Sequence, residues 1–333
     1  MRTSLFVAVL LGLLGTGAHA ADRVTVQLDW VIRGSHAMVF LADEKGYFKE
    51  QDIEIAAVRT GTSSSDALSL VGAGSADFGF ADLPTLAVSR EQGVPAVALV
   101  AVNQTSPLAM IALAKRKILD SPKDLQGLNV GVQPAGSTYV FLKAFLAANG
   151  MSLADIEETP VAPPYEKDLL SGKVDAVPGY IDAEVPVLEA SSGGSGSLSI
   201  LLGSNFGYTV LGSGVFTSER MIAERADLVR RFVKAYVRAF ADVISNPDAG
   251  ADSIIRANVD APPKEVLVKQ LEADLNHTFL SNQTKEHGIG WMTGDQWKET
   301  ARVLAEQGVL NKPVDIDRAY DTSFLKSADP PRR

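Results

Sequence analysis

From Val24 onward, short β-branched and apolar runs alternate with helical stretches, and that alternation leaves few folds open to the chain. Val24, Val26, Leu28 and Trp30 stand at every second position, as the inward face of a half-buried strand does. Residues 35–45 then read as a helix closed by Gly46, and 53–58 as the next strand. The segment 61–66 is dense in side chains that cap helix amides, and 76–80 forms another strand. Asp82-Leu83-Pro84 opens a further helix, because Asp accepts free amides and Pro tolerates the first turn, where its missing N–H costs nothing. Residues 94–102 are one more apolar strand. A second block repeats the scheme, with strands in 109–113, 129–132 and 174–180 and a helix over 137–149 stopped by Gly150. Strands separated by helices predict a mainly parallel sheet covered on both faces.

The repetition is visible in the letters. Gly74-Ser75-Ala76-Asp77 leads to Phe80-Ala81-Asp82, and Gly172-Lys173-Val174-Asp175 leads to Tyr180-Ile181-Asp182, with two extra residues in the second copy. Gly and Asp are common turn residues, so so short a match also has a trivial reading. The functional reading is two α/β lobes built alike, each presenting a strand end and a capped helix start to a shared cleft. The Gly/Ser-rich stretch 191–199 reads as a surface loop, and 206–208 with 212–216 as a return crossing. Leu228, Phe232, Tyr236 and Phe240 then recur at helical spacing until Asn246-Pro247, and Thr293 stands at capping-box spacing from Gln296 ahead of Trp297. The chain is expected to build lobe one from 21–104 and 208–333, and lobe two from 105–207.

The N-terminus carries a leader. Met1 and Arg2 are followed by an apolar run over 5–14, and Ala18-His19-Ala20 places small residues where a signal peptidase reads, so cleavage is expected after Ala20. The run is too short for a membrane anchor, and a lipoprotein would need a cysteine that the chain lacks. An exported, periplasmic, monomeric product is expected. The absence of Cys also removes disulfides and thiolate sites, which a chain of 333 residues does not need in order to bury a core. A formal charge of -9 argues against nucleic acid as a partner. Nucleophile-elbow, zinc-helix and Walker motifs are missing, and the histidines after the leader, His36, His277 and His287, lie on three separate segments. No catalytic residue, metal or cofactor is therefore expected.

The run Leu28-Asp29-Trp30, His36, Ala42 and Glu44-Lys45-Gly46-Tyr47-Phe48-Lys49-Glu50 resembles the opening of the periplasmic binding proteins of the nitrate, sulfonate, taurine and thiamine-pyrimidine-precursor branch. Gly74 to Gly79, Pro122 to Gly127, Gly172 to Ala176, Gly179-Tyr180 with Glu184, and Trp297 through Gly308 to Lys312-Pro313-Val314-Asp315 extend the likeness over nearly all of the mature chain. It implies a type II periplasmic binding protein fold, with two lobes around a ligand cleft and two hinge crossings, serving an ABC importer whose membrane permease is the partner. Leu-Asp-Trp, the following His and the Gly-Tyr…Glu segment are most similar to the thiamine-pyrimidine subgroup. Where that subgroup has Pro-Asn shortly after the Trp, this chain has Val31-Ile32-Arg33-Gly34. The subgroup also resembles an enzyme with a Cys-rich iron site, which a chain without Cys does not carry.

Ligands of open α/β sheets bind beyond the strand ends, where helix amides point inward. That rule selects Asp29, Trp30 and His36, Thr62, Ser63, Ser64 and Asp82 from lobe one. From lobe two it selects Gln133, Gly136, Ser137 and Thr138, with Tyr180, Asp182 and Glu184. Trp30 reads equally as core, and Asp82 and Ser137 as plain N-caps. Carboxylates at strand ends are costly to bury unpaired, and Arg33 and Arg59 are their candidate internal partners. Two ligand classes stay open. Stacking faces and an excess of acceptors suit a planar heterocycle with amino groups, such as a thiamine-pyrimidine precursor, whereas helix-start amides with Arg33 or Arg59 suit a small anion such as nitrate, a sulfonate or an aromatic carboxylate.

Overall fold

The structure is a computed structural model that describes residues 20–134, 136–162 and 165–333. The expected leader therefore lies, but for Ala20, outside the described residues. The strands are β1 (Asp22–Gln27), β2 (Ile53–Arg59), β3 (Phe78–Asp82), β4 (Ala96–Ala101), β5 (Leu108–Leu113), β6 (Asn129–Val132), β7 (Glu157–Pro160), β8 (Ala176–Tyr180), β9 (Leu198–Leu202) and β10 (Ser213–Ser218). They form two five-stranded sheets, ordered β2-β1-β3-β10-β4 and β7-β6-β8-β5-β9.

Position for position, the two sheets share one pattern. In the first, β1 runs parallel to β2 and β3, while β10 is antiparallel to both β3 and β4. In the second, β6 runs parallel to β7 and β8, while β5 is antiparallel to both β8 and β9. The reversed strand is in each case the one the chain lays down just after crossing between lobes, once from β4 into β5 and once from β9 back into β10. Each sheet is thus mixed, with two parallel and two antiparallel pairings, because one strand of the five runs against the other four.

The repeated letters have a physical job. Asp77 donates its backbone N–H to Thr25 O and accepts the Thr25 N–H on its carboxylate, at 3.0 and 2.8 Å. Asp175 clasps Asn129 in the same way, at 2.8 and 3.0 Å. Each Asp closes the turn that leads a helix into the central strand, and the preceding Gly74 and Gly172 both adopt φ of +78°, a left-handed conformation that costs Gly little.

Strands β4, β5 and β10 are buried along their whole length, as strands covered on both faces are. Helix Glu219–Ser245, capped by Ser218, lays its apolar stripe on the first sheet. Phe232 stacks on Phe78 with ring centres 3.8 Å apart and on Phe48 at 5.1 Å; fully burying each such ring contributes roughly 1.5–3 kcal/mol. Thr293 and Gln296 form the expected capping box at the start of helix Gly294–Glu306. Among the described residues no helix is long and apolar enough to cross a membrane.

Two segments differ from the sequence expectation. The stretch 191–199 is not a loop throughout: helix Glu184–Ser192 runs into it, and β9 begins at Leu198 and pairs with β5. Its Gly and Ser residues serve only the turn between those elements. Strand β7 carried no signal because it is a sheet edge with no buried residue, and its Pro160 is tolerated there because an edge strand has a side with no neighbour to receive an N–H.

Candidate functional site

The parallel strands of both sheets end at one gap between the lobes. Asp29, Trp30 and Arg33 follow β1, and Ser63 and Ser64 open helix Ser64–Gly72. Across the gap, Gln133, Gly136, Ser137 and Thr138 follow β6 into helix Ser137–Ala148, and Tyr180 and Glu184 follow β8. Tyr165 completes the wall. Together these residues line a narrow cleft between the lobes. Gln133 Nε2 reaches across it to donate to Thr62 O at 3.0 Å.

The cavity floor is a buried ion pair. Arg33, 4% exposed, donates from both terminal nitrogens to the two oxygens of Asp29, 3% exposed, at 3.1 and 3.2 Å, and from Nε to Ser35 Oγ at 3.0 Å. Its guanidinium also lies 5.5 Å from the ring centres of Phe80 and Tyr180. Burial would raise the Asp29 pKa, but the Arg33 charge beside it prevails and holds it at about 2. Behind Asp29, His36 Nε2 stands 3.1 Å from Asp29 Oδ1; burial and the nearby Arg33 push its pKa down to about 4, so the ring is neutral at pH 7. Ser64 Oγ donates to Asp29 Oδ2 at 3.3 Å and accepts the Asp82 N–H at 3.1 Å.

The opposite wall is aromatic and acidic. Tyr180 and Ser137 hydroxyls hydrogen-bond at 2.6 Å, and the Trp30 and Tyr165 rings lie 6.0 Å apart, brought from the two lobes to one side of the cavity. Glu184 Oε2 accepts the Tyr180 N–H at 2.7 Å. Burial, and after it the charge of Glu166, lift the Glu184 pKa to about 7, so this carboxyl is available as either donor or acceptor near neutrality.

Several residues selected from sequence do not line the cavity. His36 is screened from it by Asp29, and Thr62 meets it only at the rim, through its carbonyl. Asp82 caps helix Leu83–Glu91 through Thr85 N–H at 3.0 Å; it lies fully buried in lobe one, where burial lifts its pKa to about 7. Asp182 is buried between the lobes. Arg59 is not brought to the cleft: it is exposed and donates to Ser75 O at 3.1 Å, because it stands at the end of β2 on the sheet edge. Arg33 does reach the cavity, but as the partner of Asp29 and not as a free cation. Tyr165 was missed by sequence reasoning; an aromatic immediately after Pro163-Pro164 was the one signal available.

The architecture is that of the periplasmic binding proteins. The chain superposes on the alkanesulfonate-binding protein SsuA of Xanthomonas axonopodis pv. citri with a TM-score of 0.71 at 17% identity, covering 92% of this chain and 100% of that one. Residues 33–250 match the family described as NMT1/THI5 like, and the chain belongs to that family. Its relatives include the riboflavin-binding protein RibY of Chloroflexus aurantiacus, 26% identical over 309 residues, which are 91% of this chain and 86% of that protein. The formylaminopyrimidine-binding protein of Halalkalibacterium halodurans is 25% identical over 306 residues, 91% of each chain. Other relatives are named 4-amino-5-hydroxymethyl-2-methylpyrimidine phosphate synthase.

Proposed function

We propose that the protein is an exported solute-binding protein that closes two lobes, residues 21–104 with 208–333 and residues 105–207, around a planar nitrogen heterocycle and hands it unchanged to a membrane importer. The observation that carries this reading is the charge state of the cavity. Arg33, the one cation lining the cavity among the described residues, is already matched by Asp29 through two hydrogen bonds, so a small anion would meet no net positive charge. Trp30, Tyr165 and Tyr180 offer apolar faces to a ring, and Gln133, Ser137, Thr138 and Glu184 offer donors and acceptors to its edge. The ligands named for the two binding-protein relatives both contain a pyrimidine-type ring, which supports the same class. The leader, with its cleavage site after Ala20, supports export to the periplasm.

Calorimetry with formylaminopyrimidine, riboflavin and an alkanesulfonate tests this. A ring compound is expected to bind and the sulfonate is not, and Trp30→Ala is expected to weaken binding by about 1–3 kcal/mol, as loss of a stacking face does. Mass spectrometry of the recovered ligand is expected to find it chemically unchanged. Tight sulfonate binding that disappears in Arg33→Ala would overturn the ligand class, and a converted ligand would overturn the binding role in favour of an enzyme.

A further inference from the structure

Helix Lys264–His277 follows β10 in the chain, packs on the loop after β1, and also touches the second lobe. Gln270 and Asp274 lie one turn apart on its buried face. The Gln270 side chain accepts the Gly34 N–H at 2.8 Å and donates to Ala183 O at 2.9 Å, so it ties the loop after β1 to the segment after β8. That register sets Asp274 beside Asp182, the neighbour of Ala183, close enough that each carboxyl acts on the ionisation of the other. Asp182 is 1% exposed and Asp274 fully buried. Asp274 Oδ1 accepts from Asn103 Nδ2 at 2.6 Å and Thr278 Oγ1 at 2.7 Å, and Asn103 belongs to the outgoing crossing between the lobes. No donor group of the described residues reaches Asp274 Oδ2 or Asp182 Oδ1.

Two buried carboxyl groups set side by side do not both ionise readily; a proton between them turns repulsion into a hydrogen bond. The charged groups facing the pair are Arg33 and Asp29 from the cavity floor and Glu184 from the helix after β8; Asn103 and Thr278, on the hinge side, are neutral. Arg33 favours a single negative charge on the pair, since Asp29 already holds both of its terminal nitrogens.

We propose that Asp182 and Asp274 are a proton-operated latch between the lobes: closing takes one proton from solvent, held as an O–H on one carboxyl that donates to the other, and opening returns it. When the lobes part, Asp182 leaves with the second lobe and both groups regain water and the ordinary carboxylate range. In the closed form burial, opposed by Arg33, raises Asp182, and burial with the Asp182 charge raises Asp274 well above that range. The closed state is therefore favoured at low pH. As pH climbs from the ordinary carboxylate range towards the closed-state value, the closed-to-open ratio falls by up to about tenfold per unit. The inference rests on the closing motion of the proposed function, not on any ligand.

Small-angle X-ray scattering of the ligand-free chain from Ala21 onward, between pH 5 and 9, tests it with Asp274→Asn and Asp182→Asn alongside. In Asp274→Asn the amide keeps an oxygen for Asn103 and Thr278 and gives Asp182 a permanent donor. The wild type is expected to expand as pH rises, and both variants to keep a compact profile throughout. Wild-type profiles that superimpose over the whole range, or variants that follow the wild-type course, overturn the latch. Should Asp274→Asn fail to fold, Asp182→Asn gives the same reading with the donor on the other side. Ligand capture by calorimetry is a separate measurement, so failure of the latch leaves the binding reading standing.

Discussion

At the scale of single residues, the cleft is governed by which charges are already matched. Removing one member of the buried Arg33–Asp29 pair leaves the other charge buried and unmatched, which costs about 3–5 kcal/mol, whereas removing both costs far less. Arg33→Leu is therefore expected to lower stability to urea by that amount at pH 7, and Asp29→Asn with Arg33→Leu to recover most of it. The carboxyl groups around the pair respond to pH with opposite signs. Asp29, held at about 2, contributes stability above the ordinary carboxylate value and loses it as pH falls through 2. Glu184, lifted to about 7, contributes most below the ordinary value and loses its share as pH rises through 7. Glu184→Gln keeps an oxygen for the Tyr180 N–H but cannot ionise. Its melting temperature relative to wild type is expected to rise between pH 5 and 8, and a difference that stays flat over that range would show that Glu184 is not held protonated by burial.

Among the elements, the repeated helix–turn–strand unit explains both what the sequence disclosed and what it hid. Gly74 and Gly172 hold φ of +78° beside an Asp that clasps the neighbouring strand, so Gly→Ala at either is expected to cost about 1–2 kcal/mol in chemical denaturation, and a similar amount in each. Unequal losses would mean that the two lobes do not use the motif alike. The Gly–Asp motif was legible because backbone requirements confine it to few residue types. So were the caps at Ser63, Asp82 and Thr293 and the long buried strands. Strand β7 was not legible, since an edge that buries no side chain imprints no alternation. Of the cavity, residues that follow strand ends could be named from the alternation alone, but Tyr165 could not, because it enters from irregular chain. Arg59 was named and does not belong: a sequence shows that a residue ends a strand, not whether the strand lies at the centre or the edge of its sheet. Gln270 and Asp274 left a fainter trace, polar residues at helical spacing with Leu267 and Leu271 on a buried face.

On the scale of the whole molecule, the closed arrangement is held at separate places on the lobe interface. Gln133 donates to Thr62 O across the cavity, and Gln270, whose oxygen accepts the Gly34 N–H of its own lobe, donates to Ala183 O of the other. Each such hydrogen bond contributes about 0.5–1.5 kcal/mol net, and these are made only when the lobes meet, so they set the fraction of molecules ready to retain a ligand. An apparent dissociation constant equals the intrinsic one divided by that fraction, so loosening closure weakens binding without touching the ring's own contacts. Gln270→Ala, at a residue that does not line the cavity, removes about 0.5–1.5 kcal/mol of closing energy, which corresponds to roughly a two- to tenfold loss of affinity where the open form comes to dominate. Two measurements should move together: the ligand-free chain should expand in scattering, and calorimetry with the ring compound that binds best should show the weaker affinity. Excess ligand should restore compactness, because a ligand that bridges both lobes favours the closed population by its differential affinity. A Gln270→Ala chain that expands but binds as tightly as wild type would mean that the ligand is held by one lobe alone, and that the second lobe serves only as a cover.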